Sequence, residues 1–415
     1  MQNRFDNAGI VWVTLIFSYA YIVRLLIIYF APELVYWTVP EVAWPAFNEF
    51  DVVFDSVGIL LAVIMGFTMS LILSRPFALS ASVKSGRPSV AFVDAGRSSI
   101  VTLLLASVLL ASLLNSLAYT YGIGRQGQFN EESLPFKLAG FVVYAKTAVI
   151  PALLLVQIYW AEASGMRWLA RAGVLVLIAL GFMDMFMLDS RGAGMKPVLL
   201  LALVWWSAGF RLQSADRLTL LFLGFVLLAT IQMVTSVRLY GEQSEESLMH
   251  QIFQGIYFVL FRITGVEQFM VIKYLGSPIP FWEVWDVLTS PRGIPGYYTT
   301  NILSVDENLP QTFAPSGLGW LYLVGGLPGV IAGAAVIGIA AKSLWRALDS
   351  QFTCCAPVIK SFYLLTLFML VTEGSMEPAL ISLLISAVTL KSIGFARRVF
   401  FVKHGNSKYM QESRI

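Results

Sequence analysis

Apolar runs long enough to cross about 30 Å of hydrocarbon recur along the sequence near 9–31, 54–74, 98–119, 137–160, 172–188, 196–210, 217–238, 316–341, 357–374 and 378–396. In lipid every backbone N–H and C=O must be satisfied within the segment, so such runs fold as helices. The pattern predicts an all-α polytopic membrane protein with about 10 transmembrane helices. Charged residues make up 13% of the chain, about half the roughly 25% of soluble domains. The net charge of +3 gives no case for a nucleic-acid partner. The first run is too long for the roughly 7–15-residue core of a cleavable signal and reads as a signal anchor. The adjacent Cys354 and Cys355 have no paired ligands for zinc and read as small apolar residues near a helix end.

Charge sorts the links between runs. Arg4, the Arg75–Arg97 link, Arg167 and Arg171, Arg211 and Arg217, Lys342 and Arg346, and the tail from Arg397 hold most of the Lys and Arg. The alternate links hold almost none: 32–52 and 374–378 are free of them, and 120–135 has Arg125 alone. The positive-inside rule then puts both termini in the cytoplasm. The stretch 250–275 is also long enough to span, but a crossing would bury Arg262 and Glu267, each at about 2.5–3.5 kcal/mol. It reads instead as an amphipathic or re-entrant segment of one large external loop, 239–315, between helices 7 and 8. The chain, 1–415, is thus a single membrane domain with no internal repeat and one elaborated loop. A loop of this length is usually functional.

On the outer face, where bases are scarce, the exceptions draw attention. Arg125, Arg191, Arg238, Arg262 and Arg292 are candidates for gripping phosphate, since guanidinium binds it bidentately and stays charged at low dielectric. Ordinary snorkelling to phospholipid is the alternative for each. Arg191 stands out because it sits in the short link "LDSRGAGMK", where Lys196 before Pro197 is accounted for by a helix start. Asp184 lies two turns before Arg191 and shares its helix face if the fifth helix continues that far. Lys146 lies inside the fourth helix and is a functional candidate by default.

The loop brings aromatic platforms suited to sugar rings, Trp282, Trp285, Tyr297 and Tyr298, two of which are expected to be interface anchors. Its proton acceptors are His250, Glu267, Asp306 and Glu307, with His250 the better tuned. On an ideal helix Arg262 and Glu267 stand about 140° apart and need a break at Gly265 to converge. No Walker loop, dinucleotide-binding turn, HExxH or GxSxG occurs, which disfavours nucleotide enzymes and hydrolases of those types.

The helix layout, "DSRGAGMK" (189–196), "FRITGVEQF" (261–269) and "APSGLGWLYLVGGLPGVIAG" (314–333) together resemble the oligosaccharide repeat-unit (Wzy-type O-antigen) polymerases. Trp320 stands where relatives often carry an acid, so no catalytic role is assigned there. The resemblance implies a GT-C-like glycosyltransferase of the bacterial inner membrane, active on the periplasmic side. Its substrates would be undecaprenyl-pyrophosphate-linked oligosaccharides, with a chain-length regulator and a flippase as partners. Arg191 and Arg262 would stabilise the leaving pyrophosphate, and His250 or Glu267 would take the hydroxyl proton. No cofactor or metal is required if arginines do that work. An O-antigen ligase is the near alternative, and a flippase or transporter of the same units the distant one.

Overall fold

The computed structural model describes residues 8–36, 39–80, 96–123, 138–187, 191–209, 265–290, 293–305, 313–352, 354–373 and 376–412, with isolated helical positions between 224 and 256. Every regular element among them is helical. In chain order the helices are α1 (Gly9–Phe30), α2 (Phe50–Ser80), α3 (Arg97–Thr120), α4 (Ala139–Ala163), α5 (Arg167–Met187), α6 (Arg191–Ala208), α7 (Val266–Leu275), α8 (Val284–Thr289), α9 (Gly293–Tyr297), α10 (Ser316–Gln351), α11 (Ala356–Thr372) and α12 (Met376–Glu412). Seven, α1 to α5, α10 and α12, are long and apolar enough to cross a membrane, as expected of a polytopic membrane protein. α6 and α11 are shorter apolar helices. The run at 217–238 lies almost wholly outside the described residues.

Two compact units emerge. The first comprises Met1–Lys84, Glu245–Ala347 and Leu364–Ala379. Here α2 and α10 approach at small residues: a Cβ on Gly66 would reach the Ile331 carbonyl, and one on Gly338 the Ser70 side chain. Between membrane helices such close contact replaces the hydrophobic drive that water supplies elsewhere. Tyr21 of α1 ties three helices. Its hydroxyl donates to the Val371 carbonyl of α11 (2.7 Å) and accepts from the Leu318 N–H of α10 (3.1 Å).

The 316–341 run, expected as one crossing helix, is instead two arms. Gly326 has φ 59° and ψ −152°, non-helical values that glycine adopts without a Cβ penalty. The chain folds back there, so that Leu321 packs against Gly329 and Gly333, twelve positions on, where a straight helix would hold 321 and 333 about 18 Å apart. Pro328 opens the second arm, where its missing N–H costs nothing. The Leu323 carbonyl, orphaned by the break, accepts from the Ile279 N–H (2.8 Å).

The second unit comprises Ser85–Ser244, Leu348–Tyr363 and Leu380–Ile415. Its core is the bundle α3, α4, α5 and α6. The buried Gln157 donates to the Leu169 carbonyl across the α4–α5 turn (2.9 Å), and the Trp160 indole donates to the Cys354 carbonyl (2.9 Å). Cys354 and Cys355, not joined in a disulfide, lie in the turn between α10 and α11.

Candidate functional site

In each unit a widened helical turn accompanies a buried charge. Residues Ser18–Val23 of α1 form a π turn, and Arg24 follows it immediately. Ala145–Val149 of α4 form another, which contains Lys146. Such bulges reorient side chains within an otherwise regular helix and are frequent at functional sites.

In the first unit Arg24 Nη2 meets Glu267 Oε1 at 2.5 Å, with both side chains fully buried. Glu267 also accepts from the Gly265 N–H (3.1 Å), covering a donor at the start of α7. α7 begins between the ends of the α1 span: a Cβ on Gly265 would collide with the Ala20 carbonyl. Gly265 itself is non-helical (φ −150°, ψ −134°), and the helix that starts after it presents Glu267 to Arg24; Arg262, with which Glu267 was expected to converge, lies outside the described residues. Val266 to Ile272 are all buried, and α7 leans on the first arm of α10 through an edge-on Phe269–Tyr322 contact (5.1 Å). At its far end Lys273 pairs with Asp55 (2.8 Å) in a half-exposed contact, a kind that contributes about 0–1 kcal/mol. The hydrogen bond from Lys273 to Asp55 holds its ammonium above the usual lysine range, so this base stays charged.

This arrangement places several of the residues singled out in the sequence. Glu267 is fully buried and held by Arg24, and its other oxygen finds no donor among the described residues. Tyr298 is no exposed platform. It is fully buried and donates to Gln268 Oε1 (2.5 Å), and burial pushes its phenol well above the usual range, so it stays a donor. Tyr297 is half-buried, and desolvation raises it too. Trp282 and Trp285 are 78% and 72% exposed, beside Phe281 at 90%, and remain open to a sugar or a lipid interface.

In the second unit Lys146 Nζ meets Asp184 Oδ1 at 2.8 Å, with the side chains 2% and 14% exposed. Asp184 and Arg191, expected on one helix face if the fifth helix continued that far, lie in separate helices. α5 ends at Met187, and Arg191 opens α6, so the partner of Asp184 is the lysine of α4. Beside the pair lies a cavity of about 30 Å³, lined by Asn115, Lys146, Thr147, Asp184 and Lys196 among apolar groups that include Pro151, Leu177 and Leu200.

No family model, curated protein or solved structure matches this chain.

The side chain of Arg191, and Arg125, Arg238, His250, Arg262, Arg292, Asp306 and Glu307 altogether, lie outside the described residues. Of the residues singled out in the sequence, the structure joins Lys146 with Asp184. It keeps Glu267 and Tyr298 in one packed cluster of the other unit. Arg24, Gln268 and Asn115 escaped the sequence reading. Arg24 carried a usable signal, a full charge inside a 22-residue apolar span, which marks either a site or a paired structural charge.

Proposed function

We propose that this protein is a glycosyltransferase of the bacterial inner membrane, a GT-C-like polymerase of surface polysaccharide with ten crossing helices and both termini in the cytoplasm. On the periplasmic side it transfers a growing glycan from undecaprenyl pyrophosphate to a hydroxyl of an incoming lipid-linked repeat unit. The anomeric carbon–oxygen bond to the pyrophosphate breaks, a bond to the acceptor oxygen forms, and the acceptor proton passes to a base. Arg191 and Arg262 stabilise the charge on the departing pyrophosphate. With Glu267 engaged by Arg24, His250 is the base of this reading. Arg125, Arg238, Arg292 and Lys146 contribute positive charge for the anionic substrates. Trp282 and Trp285 supply the sugar platform, with Tyr297 at its edge. A chain-length regulator and a flippase are the partners this reading requires.

The observation that carries the reading is the build of the loop segment 265–305. It is made of short helices seated on the first unit, with α7 starting against the middle of α1. An ordered loop tied to the helices suits a one-sided active site better than the crossing pairs of a transporter, which are expected in repeats. The Lys146–Asp184 pair inside the apolar bundle favours the second reading, a transporter of the same lipid-linked units. An O-antigen ligase would use the same donor chemistry with a different acceptor.

Arg191→Ala and Arg262→Ala are expected to abolish long-chain polysaccharide while single repeat units still reach the surface. Arg191→Lys is expected to fail as well, because an ammonium cannot grip two oxygens as a guanidinium does. Unchanged chain-length ladders in both alanine variants would sink the assignment. Orientation has its own test at Ser290, which is exposed at the end of α8. Ser290→Cys is expected to react with an impermeant thiol reagent added to cells with an opened outer membrane. Reaction only after the inner membrane is breached would reverse the topology.

A further inference from the structure

The cavity of the second unit mixes hydrogen-bonding characters. Lys146 Nζ has three donor positions, one of which faces Asp184, and no further acceptor reaches it among the described residues. Asn115 is 4% exposed. Its amide nitrogen contacts Met183 Sδ (3.4 Å), while its Oδ1 has no donor among the described residues. Lys196, half-buried, lines the same cavity. Thr147 Oγ1 is already spent on the Val143 carbonyl (2.9 Å). An anion site would offer donors alone, whereas this one offers two ammonium groups beside an amide oxygen and a carboxylate.

Groups that donate and accept at once complement such a lining, and at this size that means water. A volume of about 30 Å³ exceeds the roughly 10–15 Å³ one water needs, so about two waters fit, each with several polar partners. Hydration decides the chemistry. A dry carboxylate locked to a lysine cannot take up a proton, whereas Asp184, 14% exposed and on the cavity wall, is open to water.

We propose that the cavity is a hydrated proton-binding site, with Asp184 the acceptor and water bridging it to Asn115, Lys146 and Lys196. The ligand is a proton delivered through water. The charged groups lining the cavity are Lys146 from α4, Lys196 from α6 and Asp184 itself from α5; α3 contributes the neutral Asn115. One proton taken up discharges Asp184, undoes the ionic tie between α4 and α5, and leaves two cations on one cavity. The proposal does not depend on the glycosyl-transfer reading.

Infrared difference spectroscopy on the full-length protein in nanodiscs tests it, with acidification from about pH 9 to pH 4, a range wide enough for a shifted carboxyl. A protonated-carboxyl C=O band is expected to grow in, to vanish in Asp184→Asn, and to shift within seconds of transfer to D₂O. In Lys146→Met its midpoint is expected to rise by about 1–3 pH units, as loss of an adjacent opposite charge requires. Lys196→Gln, which breaks no ion pair among the described residues, is expected to raise the midpoint less and keeps the test open if Lys146→Met does not fold. The proposal is overturned by the lack of any Asp184-dependent band over that range, by a band that resists exchange into D₂O, or by a midpoint unmoved in both lysine variants.

Discussion

Arg24→Ala, with Glu267 left in place, is expected to cost about 3–5 kcal/mol of stability, because it strands a carboxylate that no water reaches. The two side chains are fully buried and 243 positions apart in sequence, so the loss also loosens the seat of α7 on α1. The measurement is thermal or denaturant unfolding of purified protein, compared with the Arg24→Met/Glu267→Leu double variant. Replacing a whole buried pair by apolar groups is often neutral or better, so the double variant is expected to recover most of the loss. If Glu267 were instead the proton acceptor of a reaction, Glu267→Gln would fold with native stability and lose only activity. That outcome would return the residue to the chemistry.

Gly265→Ala is expected to be nearly as damaging for so small a change. Its Cβ would collide with the Ala20 carbonyl, an atom fixed by α1 and unable to rotate away. Overpacking of this kind costs about 1–3 kcal/mol, and α7 must also retreat and pull Glu267 from Arg24. Combined with Arg24→Ala, the loss is expected to be smaller than the sum, since both disrupt the same contact. A fully additive double variant would mean that Gly265 and the ion pair act separately.

The positions of the helices were legible because membrane-crossing length is written locally, in each run of apolar residues. Nine of the ten runs fall on helices, two of which run well past the apolar stretch, α10 to Gln351 and α12 to Glu412. Partnership was not legible, because it is set by what packs next to what. Asp184 was matched to Arg191 by helical spacing, yet α5 stops at Met187 and the opposing charge comes from α4. Tyr298 reads in sequence like the exposed tryptophans before it, and only the packing of α9 on Gln268 turns it inward. A non-helical Gly265 could be inferred from geometry. Its consequence, a union with Arg24, required knowing that α1 lies alongside.

The fold-back at Gly326 bears on how the chain is assembled during synthesis. An insertion machine that samples apolar length meets 316–345 as one uninterrupted stretch of 30 residues and has no local reason to treat it as two. Most of what holds the first arm has been made by then, Tyr21, Phe269 and Ile279 among it. One contact comes later: Gly317 packs against the backbone of Leu370 and Val371, about 50 residues downstream. At ~5–20 residues per second, the first arm waits about 3–10 s for that partner, which makes α11 the last element to reach it.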